Sequence, residues 1–381
     1  MRGARGLDAR PATSEGTAMS AYGIEDAGRL ARVVSGQVDA GKLTLFSTMK
    51  NEMGFLPAFL AHHRAIGFEQ FLIFDDASDD GTSAYLAAQS DCVVMQSDLS
   101  FGDEITYRDP DGESRRERAG TYFKIALPHL FFDGAYVAYV DADEFLLLPP
   151  GVSSISKVVT RLAAEGAPSA IATVVEFFPE NVAGLSGDLP KSFDGLLEAY
   201  PYFQAEALVD LVPGRQPELL GKSKTARLFK QFDIEPKVER RGLQRLYMSS
   251  RAKKAQQFQK SPRHKTPLVL RNAESRLTGS HYANLAPSST VLLTVAHFVF
   301  TAQFADKIAR ARAWGAHANG ASKYRYYAEL LARMQARKGS FLDENSLRYE
   351  GPQQLKVQVN NKFLMSEQIS FQPLMERENQ V

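Results

Sequence analysis

The chain has 381 residues, 44% apolar and 23% charged, with a formal net charge of +1. That balance is ordinary for a globular protein and gives no global basic field favouring nucleic acid. The single cysteine, Cys92, excludes an intramolecular disulfide framework and argues against a cysteine-rich zinc site, and no stretch approaches the ~18–20 apolar residues of a membrane span.

Residues 1–38 are rich in Ala, Gly, Arg and Ser and show no clear strand. They are expected to form a disordered leader with one short helix near Ile24–Val34. The basic N-terminus lacks an apolar core, so it does not read as a secretory signal. The simplest expectation is a cytoplasmic protein, with any membrane contact peripheral and made through its surface.

The folded part is expected to begin with Lys42–Met49, an apolar strand followed at once by Lys50-Asn51-Glu52. Phe55, Leu56, Phe59, Leu60 and His63 then fall on one helical face, and Gly67 is placed to end that helix. Phe71–Phe74 is a second apolar run. It enters an acidic turn, Asp75 to Thr82, whose last residues suit the start of a helix over Ser83–Gln89. Cys92–Met95 is a third strand. This β-α-β-α-β order predicts a parallel, doubly wound α/β sheet, in which ligands bind beyond the carboxyl ends of the strands.

A polar stretch, residues 97–120, precedes a helix expected over Tyr122–Phe132 despite Pro128. Next comes AYVAYVDADEFLLL, residues 135–148, the stretch with the most chemistry in it. An apolar strand runs straight into Asp141, Asp143 and Glu144. Three carboxylates at a buried strand end are costly without counter-charge, and a divalent cation with hard oxygen ligands, Mn²⁺ or Mg²⁺, is the expected remedy. On an extended backbone Asp141 and Asp143 would project to one side and share that ion, with Glu144 pointing elsewhere. Three polar clusters thus fall at strand ends: Lys50-Asn51-Glu52, Asp75–Asp80 and Asp141–Glu144.

A helix is expected over Ile155–Leu162 and a strand over Ala170–Phe178, whose apolar run Glu176 interrupts. Residues 179–221 lack clean periodicity and suit an acceptor-binding lid. Between 222 and 265, 14 Lys/Arg face three Asp/Glu, a local basic stretch suited to a diphosphate or to anionic lipid headgroups. Strands are expected at Thr266–Leu270 and within Leu292–Phe300. His281, in a polar turn, is the better candidate for a third metal ligand, while His297 sits among apolar residues. Residues 301–338 read as helical.

In this order the pieces resemble a family 2-type glycosyltransferase of the GT-A fold, in the bacterial branch related to family 92. The residues carrying the resemblance are Lys50-Asn51-Glu52, Ala61 to Gly67, Asp75 to Thr82 and Asp141-Ala142-Asp143-Glu144-Phe145. Lys265-Thr266-Pro267-Leu268-Val269, Gly279-Ser280-His281, Ala296-His297-Phe298 and Phe304-Ala305-Asp306-Lys307 follow in the same order. The resemblance implies a GT-A (Rossmann-like) mixed, mostly parallel sheet with helices on both faces and a C-terminal helical subdomain. It divides the chain into a leader over 1–38, a transferase domain over 39–300 and a helical extension over 301–381.

The resemblance further implies a metal-dependent, inverting transfer of a sugar from a nucleotide-diphosphate donor to a glycan or lipid-linked acceptor. Glu52, Asp75 and Asp79 would hold the nucleoside, with Lys50 and Asn51 beside them. Asp141 and Asp143 would bind ribose and metal, with Lys265 assisting. Glu176 is the candidate general base. Relatives often carry that base in a Glu-Asp pair, with no clear counterpart here, and a basic residue after His-Phe, where this chain has Val299. A sugar-phosphate nucleotidylyltransferase is the nearest enzymatic alternative, but it usually shows a Gly-rich basic loop after strand one. A non-catalytic glycan-binding relative would not need every acidic cluster.

Overall fold

The computed structural model describes residues 21–109, 111–236, 261–314 and 318–358. Strands β1 (Ala31–Ser35), β2 (Thr44–Met49), β3 (Gln70–Asp75) and β4 (Cys92–Ser97) precede a hairpin of β5 (Glu104–Arg108) and β6 (Ser114–Arg118). Then come β7 (Ala135–Tyr139), β8 (Glu144–Leu147), β9 (Ser169–Phe178) and β10 (Tyr202–Gln204). A short ribbon of β11 (Val209–Asp210) and β12 (Glu218–Leu219) is followed by β13 (His264–Arg271), β14 (Leu292–His297) and β15 (Ser346–Arg348).

The main sheet runs β1-β4-β3-β2-β7-β13-β9-β10-β15, and β14 pairs with both β9 and β8. The block β4-β3-β2-β7 is parallel. Its strands therefore end on one edge, where Met49 of β2 lies opposite Asp75 of β3. β13 runs antiparallel to both β7 and β9, so β9 points the same way as the parallel block. The architecture is a mixed α/β, Rossmann-like sheet with helices on both faces.

Strand alternation explains the two faces. In β2 and β3, Leu45, Phe71 and Ile73 pack under the helices Leu56–Ala65 and Ile155–Ala164. Their neighbours Phe46, Leu72 and Phe74 face the helix Ala119–Phe131 on the other side. Every residue of β2, β3 and β9 is buried, as expected of strands covered on both faces. Gly67 ends the first of these helices with φ +102°, a left-handed backbone that any side chain would strain.

The expected leader needs revision from residue 21 onward. The helix Ala27–Leu30 buries Ala27, and β1 pairs antiparallel with β4 as an edge strand. β1 escaped sequence reading because only Ala31 is buried and Val33 and Val34 are exposed, so no alternation marks it. Residues 1–20 lie outside the described residues. The polar stretch 97–120 contains the β5–β6 hairpin. Beyond residue 300, the helices Phe304–Trp314 and Ala318–Ala336 join the helix Lys224–Gln231 in a third cluster around Phe178, Phe300 and Tyr327. The expected helical extension is thus helical to Ala336, after which β15 returns to pair with β10.

Phe145 ties the acidic turn to this core. It is fully buried and meets Phe59, His62, His63, Phe193 and Phe298. His63 is neutral, its usual pKa lowered well by burial and then by His62, and it accepts the Leu146 N–H at 3.2 Å. Phe145→Ala is expected to lower unfolding free energy by about 3–5 kcal/mol, read from denaturant midpoints at unchanged slope. A loss under ~1 kcal/mol would show that this cluster does not anchor the turn.

Candidate active site

The carboxyl edge of β2 and β7 opens on a cavity of about 630 Å³. Lys50, Asn51 and Glu52 line it from the end of β2, and Asp141, Asp143 and Glu144 from the end of β7. His281, His297, Lys307 and Lys323 also line it. Among the lining residues Lys and Arg outnumber Asp and Glu by six to four.

Local backbone strain shapes the first wall. Asn51 and Ala77 sit at positive φ, +58° and +53°, just past β2 and β3. Left-handed backbone costs of order 1 kcal/mol for such residues. Side-chain bonds between the two turns hold it. The Asn51 N–H donates to Ser78 Oγ at 2.9 Å, and Asn51 Nδ2 donates to Asp79 Oδ1 at 2.7 Å. The Asp79 N–H returns to Asn51 Oδ1 at 2.8 Å. Lys50 Nζ reaches the Asp76 carbonyl at 2.6 Å and Asp76 Oδ2 at 3.2 Å.

The acidic tetrapeptide is a turn rather than an extended strand end. β7 stops at Tyr139, the Glu144 N–H donates to the Asp141 carbonyl at 3.0 Å, and β8 begins at Glu144. Three elements each send an ammonium onto it. From β13, Lys265, wholly buried, lies 3.1 Å from Asp141 Oδ2 and also bonds Glu144 Oε2. From the helix Ala119–Phe131, Lys124 lies 3.6 Å from Asp141 Oδ1, which also accepts from the Tyr139 hydroxyl. From the helix Phe304–Trp314, Lys307 lies 2.6 Å from Asp143 Oδ2, with His297 Nε2 at 3.5 Å.

The extended backbone expected over Asp141–Asp143 does not form, and the two acids are held by different cations. Glu144, expected to point elsewhere, instead accepts the Asp141 N–H at 2.9 Å and lines the same cavity. Asp141 is the most open of the three acids, with 37% of its side chain exposed against 8% for Asp143 and 2% for Glu144.

Charge pairing sets the proton affinities. Burial alone would raise Asp141, but Lys265 and Lys124 outweigh it and hold the carboxyl well below the usual range. Asp143 is held down in the same way, burial being overcome by Lys307 and His297. Burial would likewise lower Lys265 and Lys307, but their carboxylate partners raise both. Glu52 behaves differently: burial pushes it up to about 7, against the pull of Lys307. Burial, then Lys265, drives His281 down to about 3, so its imidazole is neutral, with Nδ1 buried and unpartnered.

The sequence-predicted residues divide accordingly. Lys50, Asn51, Glu52, Asp141, Asp143 and His281 share the cavity wall, and Lys265 supports it from beneath. Asp75 does not line it; this carboxylate is buried and accepts from Gln96 Nε2 at 2.8 Å, bracing the β3 turn. Asp79 borders a separate, shallower depression with Ser78 and Gln96. Glu176 is not brought to the cavity wall either. Its carboxylate is buried and accepts the Thr225 N–H at 2.8 Å and the Thr225 hydroxyl at 2.5 Å, fastening the start of the helix Lys224–Gln231. Lys124, Lys307 and Lys323 escaped the sequence reading. The helix start Phe304-Ala305-Asp306-Lys307 was visible, but nothing marked its lysine as the partner of Asp143.

The expected divalent cation does not find a ready ligand set. His281 offers the neutral form a metal accepts, and it is close enough to feel the Asp141 charge, which pulls its proton affinity upward against burial and Lys265. Yet Asp141 is engaged on both oxygens by Tyr139 and Lys265, and Asp143 Oδ2 by Lys307. Among the described residues no three His, Cys, Asp or Glu side chains gather to hold a metal ion. The lysines supply the counter-charge that the three acids require.

No family model matches the chain, and no curated protein matches it. Among solved structures the chain is similar to a UDP-glucose pyrophosphorylase from Acinetobacter baumanii. The identity is 12%, over 38% of this chain and 60% of that one, with a TM-score of 0.21. At that score the likeness bears on neither fold nor function. Among the described residues no helix is long and apolar enough to cross a membrane.

The raised proton affinity of Glu52 makes stability depend on pH. Its folded pKa, about 7, lies above the 4.5 of a free Glu, so the folded state binds the extra proton between those values. Unfolding free energy from this group therefore falls as pH rises from 4.5 to about 7. Glu52→Gln, which cannot ionise, is expected to be more stable than the parent above pH 7, with the advantage shrinking toward pH 4.5. Thermal midpoints across that range test this; a difference independent of pH would contradict it.

Proposed function

We propose that the chain is a glycosyltransferase that moves a sugar from a nucleotide-diphosphate donor to a glycan or lipid-linked acceptor. The observation that supports this most is the cavity itself. It lies at the carboxyl edge of a Rossmann-like sheet, and it sets a cationic wall against the Asp141–Glu144 turn. A diphosphate needs cations, while a sugar and a ribose need hydrogen-bond acceptors; the cavity has both.

In the transfer, the bond from the sugar C1 to the β-phosphate oxygen breaks and its electron pair leaves with the nucleoside diphosphate. The acceptor hydroxyl oxygen forms the new bond to C1, and its proton passes to a base. Asp141, the open carboxylate, is the acceptor for donor hydroxyls, kept ionised by Lys265 and Lys124. Asp143 fixes Lys307. Glu176, committed to Thr225, is poorly placed as base. Glu52 is the cavity carboxylate whose proton affinity, near 7, suits base catalysis at neutral pH.

Product identity separates this reading from nucleotidyl transfer. Incubated with a panel of UDP- and GDP-sugars, the protein is expected to release nucleoside diphosphate and free sugar slowly. Chromatography of the nucleotides reads this directly. Formation of nucleoside triphosphate and sugar 1-phosphate on adding pyrophosphate would assign the site to a nucleotidylyltransferase instead.

A further inference from the structure

Three ammonium-bearing side chains reach the cavity from the helical elements. Lys124 and Lys307 flank the acidic turn on its two sides, against Asp141 and Asp143. Lys323, from the helix Ala318–Ala336, lines the same cavity beside Tyr324. A chain of hydrogen bonds, buried beyond its first link, holds Lys323. Its Nζ donates to Ser261 Oγ at 2.8 Å, Ser261 Oγ donates to Thr225 Oγ1 at 3.2 Å, and Thr225 is fastened to Glu176. Glu176 thus positions a cavity cation although it does not line the cavity.

The carboxylates that would hold a divalent ion are engaged by lysines whose own positions are fixed. Lys265 is wholly buried, with Asp141 and Glu144 as its ion-pair partners and the Tyr139 ring 4.4 Å from its Nζ. A divalent ion on Asp141 would sit beside that ammonium and repel it. The diphosphate of a donor, by contrast, brings the negative charge that a predominantly cationic wall lacks.

We propose that this cavity neutralises the departing diphosphate with lysine ammonium groups, Lys124, Lys307 and Lys323, and not with a divalent cation held by Asp141 and Asp143. This rests on the transferase reading for the identity of the leaving group. In the transfer, the electron pair of the broken C1–O bond resides on the β-phosphate oxygen, and the three ammonium groups stabilise it there without giving up a proton. Glu176 is a positioning residue in this scheme, acting on Lys323 through Thr225 and Ser261.

The test uses the full chain and inorganic pyrophosphate as the probe, followed by isothermal titration calorimetry in EDTA. Pyrophosphate is expected to bind without any metal, and Lys124→Met and Lys323→Met are each expected to weaken it about ten-fold. Lys307→Met leaves Asp143 buried without its lysine and can lose the fold, so the other two variants carry the measurement. Glu176→Gln is expected to weaken pyrophosphate binding while leaving binding of Mn²⁺, followed by its paramagnetic resonance signal, unchanged at none. Pyrophosphate binding only when Mn²⁺ is supplied, or depletion of free Mn²⁺ by the parent and not by Asp143→Asn, would overturn the proposal. Hydrolysis of nucleotide sugars that requires Mn²⁺ would overturn it and leave the transferase reading standing. Binding of pyrophosphate in EDTA with no nucleotide sugar hydrolysed under any condition would support the cationic site and remove the transferase reading.

Discussion

Acids at the end of a buried strand must be given counter-charge, and this one requirement organises the molecule. Asp143 and Glu144 are nearly buried, and Asp141 is partly so. Isolated in a low-dielectric interior, they would take up protons rather than remain charged. Lys265, Lys124 and Lys307 prevent that for Asp141 and Asp143, whose proton affinities fall despite burial. Such pairs are weak evidence of net stability, because desolvation offsets much of the attraction. What they do is hold charges of both signs at fixed places around an open space.

The three lysines come from parts of the chain far apart in sequence: a helix on one sheet face, the antiparallel strand β13, and the helix Phe304–Trp314. The site is therefore complete only when the C-terminal helices are docked. Their docking is apolar, through Phe300, Phe304, Ile308 and Tyr327 against Phe178. β14 makes a second link. It lies parallel to β9 and antiparallel to β8, so that His297 stands opposite both Glu176 and Glu144. Packing of the core, the acidic turn and the cationic wall are thus one arrangement.

Much of the fold was legible because buried parallel strands leave long apolar runs. β2, β3, β4, β7 and β9 stood out for that reason, and Gly67 and the Asp75–Thr82 turn marked the boundaries between them. The strands at the edges were not legible. β1 buries only Ala31, and β15 buries none of its residues, so neither carries a pattern. Among site residues, Lys50-Asn51-Glu52 and Asp141–Glu144 were visible because charge at a strand end is conspicuous. Glu176 was conspicuous for the same reason, yet it fastens Thr225 at the start of a helix. Strand periodicity says which residues share a face, and it cannot say which partner a carboxylate will meet. Lys265 was named through the resemblance, whereas Lys124, Lys307 and Lys323 were invisible as cavity residues, since each sits on an ordinary helix and only the tertiary fold brings them together.

A crystal structure with UDP or GDP soaked into the cavity tests the central claim most directly. The diphosphate is expected between Lys124 and Lys307, above the Asp141–Glu144 turn. A nucleotide found instead in the depression beside Asp79, or a cavity that admits no nucleotide at saturating concentration, would contradict it.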